Sequence, residues 1–387
     1  MKLFATALLC LLLFLLSLLN WVSAEQLWLW KASLLAKEYG HWLAALAVLV
    51  WFSSYFQTKN KILLTIAHLL LLLSIAGFLN SLRLAYKNQS TWRQALGPNT
   101  KNLLSFKTLW MGQTETPVAY QRLTYNENIE PHLTLDYYPA QGANVKAVPW
   151  VVVVHGGGWN AGDSQQLPEL NSILAQQGYA VFSINYRLAP EYKWPDAKQD
   201  LLNSIHFISE RASQFNIDPA NYALLGRSAG GQLAGVVAYS KINPSPKALV
   251  LFYTPTDLTF GYEAGSEDDI LNSRALIRDY MGGNPFEKRA AYADASVIDH
   301  VSDHPVPTLL LHGIPDTLVW YKHSERLDAR LKEAHIPDVF ILLPWATHGF
   351  DFSLAGPGGQ ISTVATQKFL KTWLLKPTSA LPTQPNQ

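Results

Sequence analysis

A serine hydroxyl attacks a carbonyl only when one group takes its proton and others hold the oxyanion that forms. Gly226-Arg227-Ser228-Ala229-Gly230 is a G-x-S-x-G set lying between an apolar run, Tyr222–Leu225, and a segment of helical period, Ala229–Tyr239. In a strand–turn–helix setting the glycines have a steric purpose, because a serine on so sharp a turn leaves its neighbours no room for Cβ atoms. The helix behind it presents the Ala229 N–H and the positive end of its dipole to a developing oxyanion. Alone the pattern is weak, since small residues also make ordinary tight turns before helices.

His155-Gly156-Gly157-Gly158-Trp159 follows directly on the run Trp150–Val154. Three glycines let the main chain approach a substrate oxygen, which makes the N–H groups of Gly157 and Gly158 candidate donors beside Ala229. A phosphate cradle is disfavoured, as no G-K-[ST] follows. His155 is expected to buttress this loop. The base must come from the nine histidines beyond residue 115. His348, in Pro344-Trp345-Ala346-Thr347-His348-Gly349-Phe350, occupies a short loop after a strand and can face Ser228. His312 ends a strand and is expected to be a packed or hydrogen-bonded structural group, while His300, His304, His323 and His335 are expected to face solvent. The orienting acid follows the serine and precedes the histidine in chain order on such a sheet. Asp316, just beyond the strand ending at His312, is the first choice, and Asp257 one strand earlier is the alternative. Asp351 is too close in sequence to His348.

These residues need a frame. Val118–Tyr125, Leu133–Tyr138, Trp150–Val154, Ala180–Asn185, Tyr222–Leu225, Ala248–Phe252, Thr308–Leu311 and Val339–Leu343 read as strands. Helical periods occupy Pro168–Gln177, Pro195–Phe215, Ala229–Tyr239, Tyr321–His335 and Ser362–Leu375. Strands alternating with helices predict an α/β class with a mostly parallel sheet covered on both faces, and ligands bound beyond the strands' carboxyl ends. Phe260–Gly282, mixing acids with Leu271 and Ile277, predicts an amphipathic, mobile lid. The Pro-, Thr- and Gln-rich tail after Lys376 predicts disorder.

The block His155–Trp159 with Gly162-Asp163, Tyr186-Arg187-Leu188-Ala189-Pro190-Glu191, Gly226–Gly231, Asp316 and His348-Gly349-Phe350 resembles the α/β-hydrolase fold. It is similar to the hormone-sensitive-lipase-like and bacterial feruloyl-esterase-like (BD-FAE) carboxylesterases over about Thr116–Leu375. The resemblance implies an eight-stranded sheet and carboxylic ester hydrolysis through an acyl-enzyme. It implies Ser228 as nucleophile, His348 as base, Asp316 as acid and Gly157, Gly158 and Ala229 as oxyanion donors, with no metal or organic cofactor. Asp163 and Tyr186–Pro190 are structural in such enzymes. Acyl transfer to an alcohol or deacetylation of cell-envelope or lipid esters is the alternative activity, ahead of a peptidase or a non-catalytic scaffold. Arg227 stands where lipase-like relatives often carry an acid; it is either a surface ion-pair partner or a cation near the site that favours anionic substrates.

Composition adds a second theme. Lys+Arg 30 against Asp+Glu 29 leaves no basic excess for nucleic acid, and the single Cys10 excludes an intramolecular disulfide. Residues 1–83 carry only eight charges: Lys2, Glu25, Lys31, Lys37, Glu38, Lys59, Lys61 and Arg83. They leave Leu3–Ala24, Gly40–Thr58 and Ile62–Leu82 uncharged, each about the ~20 residues that cross a bilayer. Trp21, Trp28, Trp30, Trp42 and Trp51 cluster near the ends of these stretches, as interfacial aromatics do. Leu3–Ala24 also resembles a signal peptide ending in Val22-Ser23-Ala24, but its apolar run exceeds the ~7–15 residues such peptides carry. The expectation is therefore a membrane anchor over 1–83, a linker over 84–115, a catalytic domain over 116–376 and a tail over 377–387. With Lys2 in the cytoplasm, residues 84–387 emerge outside, on the extracytoplasmic side of a bacterial inner membrane.

Overall fold

Strands that are apolar on both sides need cover on both faces, and the computed structural model supplies it. It describes residues 2–57, 59–97, 100, 102–113, 116–130, 132–142, 147–301 and 305–375; His304 and the tail after Lys376 lie outside them. Eight strands form one sheet: β1 (Gln121–Asn126), β2 (Leu133–Tyr138), β3 (Val148–Val154), β4 (Ala180–Ile184), β5 (Ile217–Arg227), β6 (Ala248–Phe252), β7 (Thr308–Gly313) and β8 (Asp338–Leu343). Their order is β1-β2-β4-β3-β5-β6-β7-β8. β1–β2 and β2–β4 pair antiparallel, and every other pairing is parallel. Trp150, Val152 and Val154 of β3 pack into one core with Leu201, Leu224 and Leu233. Val151 and Val153 point the other way, into a core with Leu174, Ile341 and Phe369. The helix expected over Pro195–Phe215 breaks into Asp196–Glu210 and Ala212–Phe215. The helix expected to start at Ser362 instead begins at Pro357, where a proline suits the first turn.

The N-terminal region departs further from expectation. It forms α1 (Lys2–Leu18), α2 (Leu27–Glu38), α3 (Gly40–Gln57) and α4 (Lys61–Ala95). Among the described residues only α4 is long and apolar enough to cross a bilayer, by length and composition alone; α1 and Gly40–Phe56 are shorter, so one of the three expected spans meets that measure. α1 stops at Leu18, where a turn replaces the helix expected to reach Ala24. α4 runs 35 residues instead of ending near Leu82, about 52 Å at ~1.5 Å per residue. The expected linker therefore begins as helix, and Ala85 and Trp92 are buried in the sheet's second core together with Leu103, Leu104 and Leu109. The helices meet through small and polar residues, with Ser17 Oγ 2.6 Å from Ser74 Oγ and Cys10 Sγ 4.0 Å from Ser54 Oγ. Their outer faces expose Phe4, Leu49, Phe56, Ile62 and Leu72.

α2 falls between the expected spans Leu3–Ala24 and Gly40–Thr58, and it docks on the sheet unit. Its last residue, Glu38, is fully buried and accepts a hydrogen bond from Gly358 N at 2.8 Å, in the first turn of the helix Pro357–Leu374. Burial pushes the Glu38 carboxyl up to about 8, against the pull of the Gly358 and Gly359 N–H groups. The folded chain therefore holds a proton that the unfolded chain releases, so this group's stabilisation is full below about 4.5 and is lost as pH rises towards about 8. Glu38→Gln keeps the acceptor and removes the titration. Thermal unfolding of the full chain in detergent is expected to show the variant gaining on wild type as pH rises through that window; a constant gap would contradict the buried proton.

Candidate active site

β5 delivers Ser228 to the carboxyl edge of the sheet with φ 50° and ψ −120°, a backbone that L-residues rarely adopt. Its N–H donates to Phe252 O at 2.9 Å, so the strained turn is tied to the neighbouring strand. A Cβ on Gly226 would overlap the Gly230 backbone, and one on Gly230 would overlap the carbonyls of Val154 and His155. Both glycines of the motif are thus required sterically. His348, in the loop after β8, places Nε2 3.0 Å from Ser228 Oγ and Nδ1 2.7 Å from Asp316 Oδ2. A carboxylate can only accept, so Nδ1 carries the proton and Nε2 is free to accept from the serine. Asp316, in the loop after β7, also accepts from Leu318 N and Val319 N, both at 2.9 Å. Burial pushes its carboxyl up, but His348 and His312 outweigh that and hold it below the usual carboxylate range.

His312 is packed and hydrogen-bonded, as expected. It is buried, with Nε2 3.3 Å from Asp316 Oδ2 and 2.9 Å from Val319 O, while its Nδ1 faces Ser324 Oγ at 2.7 Å. Asp316 Oδ2 thus contacts two imidazoles, those of His348 and His312. His155 buttresses its loop as expected: Tyr186 OH donates to its carbonyl at 3.0 Å, and the two rings stack 4.2 Å apart. Burial lowers the His155 imidazole to about 4, so it stays neutral. Gly157 takes φ 116°, and its carbonyl accepts from Asn160 N and Ala161 N in a closed turn. Gly157, Gly158 and Ala229 line the same cavity as Ser228. Among the described residues no acceptor is found for their N–H groups.

Three expectations need correction. His323 is buried against the cavity, not solvent-facing, because His323, Leu327 and Leu331 share one face of the helix Lys322–Glu333; burial lowers it to about 3. That i, i+4, i+8 spacing was readable. Asp257, the alternative acid, instead caps the helix Leu258–Ala264 and pairs with Arg326 at 2.7 Å. Arg227 is no surface residue. It is 1% exposed, with Nε 2.6 Å from Asp351 Oδ2, while Tyr253 OH donates to Asp351 Oδ1 at 2.5 Å. The pair joins the residue before Ser228 to the residue three past His348.

Two site features had no sequence signal. Trp30 of α2 donates from Nε1 to His348 O at 3.1 Å, across 318 positions. Trp345, just before the histidine loop, lies 6.4 Å ring to ring from Trp92 of α4. Ser228 and His348 open onto a cavity of about 640 Å³ walled by Leu27, Trp30 and Leu34 on one side and by Leu271, Leu276 and Ile277 on another. The expected lid segment thus contributes a wall, through the helix Ser273–Met281.

The chain matches the BD-FAE family over residues 135–331, which includes Ser228 and Asp316 but not His348. It is 28% identical over 236 residues to the probable carboxylic ester hydrolase LipM of Mycobacterium tuberculosis, covering 57% of this chain and 54% of that protein. It is 28% identical to the esterase LipC of the same organism, covering 60% of each, so the chain spans only a little over half the length of these relatives. Among solved structures it resembles a C6-C4 SN3 inhibited esterase B of Lactobacillus rhamnosis with TM-score 0.58 at 22% identity, over 75% of this chain and 96% of that one. A truncated carbohydrate esterase from gut microbiota gives 0.56 at 22% identity, over 66% and 98%. At such identity these two speak for the fold.

The Arg227–Asp351 pair can be tested without substrate. Asp351→Ala strands a fully buried guanidinium and is expected to cost roughly 3–5 kcal/mol, read from the chemical denaturation midpoint.

Proposed function

This chain belongs to the BD-FAE family, and from that premise we propose that it is a serine hydrolase of carboxylic esters held to a membrane by its N-terminal helices. Ser228 is the nucleophile, His348 the base, Asp316 the orienting acid, and Gly157, Gly158 and Ala229 the oxyanion donors. The observation that carries this reading is the unbroken relay from Asp316 through His348 to Ser228 at the wall of one cavity.

The chemistry follows from those positions. Ser228 Oγ attacks the ester carbonyl carbon as its proton passes to His348 Nε2. The carbonyl oxygen gains negative charge opposite the three N–H donors, each of which typically contributes ~10²–10³ in rate. Collapse of the tetrahedral intermediate expels the alcohol, which takes the proton from Nε2 and leaves an acyl-Ser228. Water then attacks the acyl carbon and gives its proton to His348. A second collapse frees the acid and returns that proton to Ser228. Throughout, Asp316 keeps Nδ1 protonated and offsets the charge of the imidazolium.

The anchored half of the proposal rests on α4, on the apolar outer faces of α1, α3 and α4, and on their small polar contacts, a pattern suited to lipid around a helix bundle. In this reading residues 1–83 are the anchor, 84–115 join it to the catalytic unit 116–376, and Lys59 and Lys61 mark the cytoplasmic turn.

A chain-length series of p-nitrophenyl esters, offered to the full chain in detergent, tests the chemistry. Ser228→Ala and Asp316→Asn are each expected to lower kcat by about 10³-fold or more. Wild-type rates in Ser228→Ala would sink the assignment.

A further inference from the structure

We infer that α2 forms the membrane-facing wall of the acyl cavity, and that the substrate is an ester whose long acyl chain enters from the bilayer along this helix. The inference rests on the serine-hydrolase and anchor readings and adds the substrate class to them.

Connectivity supplies the first argument. α2 has 12 residues, about 18 Å of helix against the ~30 Å of a bilayer core, so it cannot span. It lies between α1, ending at Leu18, and α3, starting at Gly40, and both of its ends are therefore held at one membrane face. Helix faces supply the second. Leu27, Trp30 and Leu34, at i, i+3 and i+7, line the cavity that holds Ser228 and His348. Trp28 and Leu35, again seven apart, are 65% and 46% exposed on another side, and Trp21 just before the helix is 50% exposed. Exposed tryptophans beside apolar residues suit the headgroup boundary of a bilayer. Distance supplies the third. The indole of Trp30 bonds the His348 carbonyl directly, so the base sits within about one helix diameter, ~10–12 Å, of that boundary. An acyl chain leaving the lipid layer meets α2 first and finds an apolar cavity on its inner side. A short, water-soluble ester needs neither feature.

The full chain is placed in phosphatidylcholine vesicles and given p-nitrophenyl acetate in water or p-nitrophenyl palmitate in the same bilayer. Leu34→Trp narrows the cavity from α2; Leu27→Trp, at the exposed end of the helix, provides the readout should the first variant fail to fold. The palmitate-to-acetate ratio of kcat/KM is expected to fall about tenfold or more. Palmitate in the protein's own vesicles is expected to be cleaved faster than the same amount in separate, protein-free vesicles. An unchanged ratio in a folded variant, or equal rates from the two vesicle populations, would overturn the inference. Failure of the underlying readings looks different: no Ser228-dependent acetate hydrolysis, or no flotation of the protein with the vesicles.

Discussion

Ser228 sits at φ 50° between Gly226 and Gly230, neither of which has room for a Cβ, and much of the surrounding structure can be understood as holding that turn in place. A residue in this region costs of order 1–3 kcal/mol, so it persists only where its surroundings over-determine it. Here a hydrogen bond to β6 fixes the serine's N–H, glycines on β5 and in the following helix admit the close crossing, and the His155 loop presses on the same point. The strand order follows from that need. β5 lies in the middle of the parallel part of the sheet, between β3 with its glycine loop and β6. The proposed nucleophile and oxyanion donors therefore come from adjacent strand ends.

The proposed base is held differently. His348 belongs to a loop with no regular structure of its own, and it is positioned by contacts from four directions. Asp316 holds Nδ1, Trp30 holds the carbonyl, the Tyr253 ring packs 4.3 Å away, and the Arg227–Asp351 pair ties the loop to the Ser228 turn. A buried ion pair gains little net stability over apolar packing of the same shape. Its use here is positional, because it spans the two segments whose separation sets the 3.0 Å contact between Ser228 and His348.

The sequence made the sheet and the relay legible because their signals are local. β-branched runs marked the strands, a glycine-flanked serine marked the elbow, and chain order pointed to Asp316 and His348. What stayed hidden depends on contacts between distant segments. Glu38 meets Gly358, and Trp30 meets His348, more than three hundred positions away. Neither pairing leaves a periodicity, and α2 falls outside the expected spans because its Lys31, Lys37 and Glu38 interrupt the apolar pattern. Arg227 looked like a surface charge for the same reason, since its partner Asp351 lies 124 positions away. His323 is the exception, for its helical spacing with Leu327 and Leu331 is a local signal that marks a buried face.

The unbroken run of α4 from Lys61 to Ala95 has a mechanical consequence. A flexible tether would let a catalytic unit sweep a hemisphere above its anchor, with a radius set by the length of the linker. A helix that passes from the N-terminal bundle into the core beneath the histidine loop removes that freedom, and α2 adds a second strut from the same side. On the anchored reading the active site has a fixed height and a fixed tilt. Its search is then a glide in a plane, and esters borne on a distant layer or a bulky polymer stay out of reach unless they come to it.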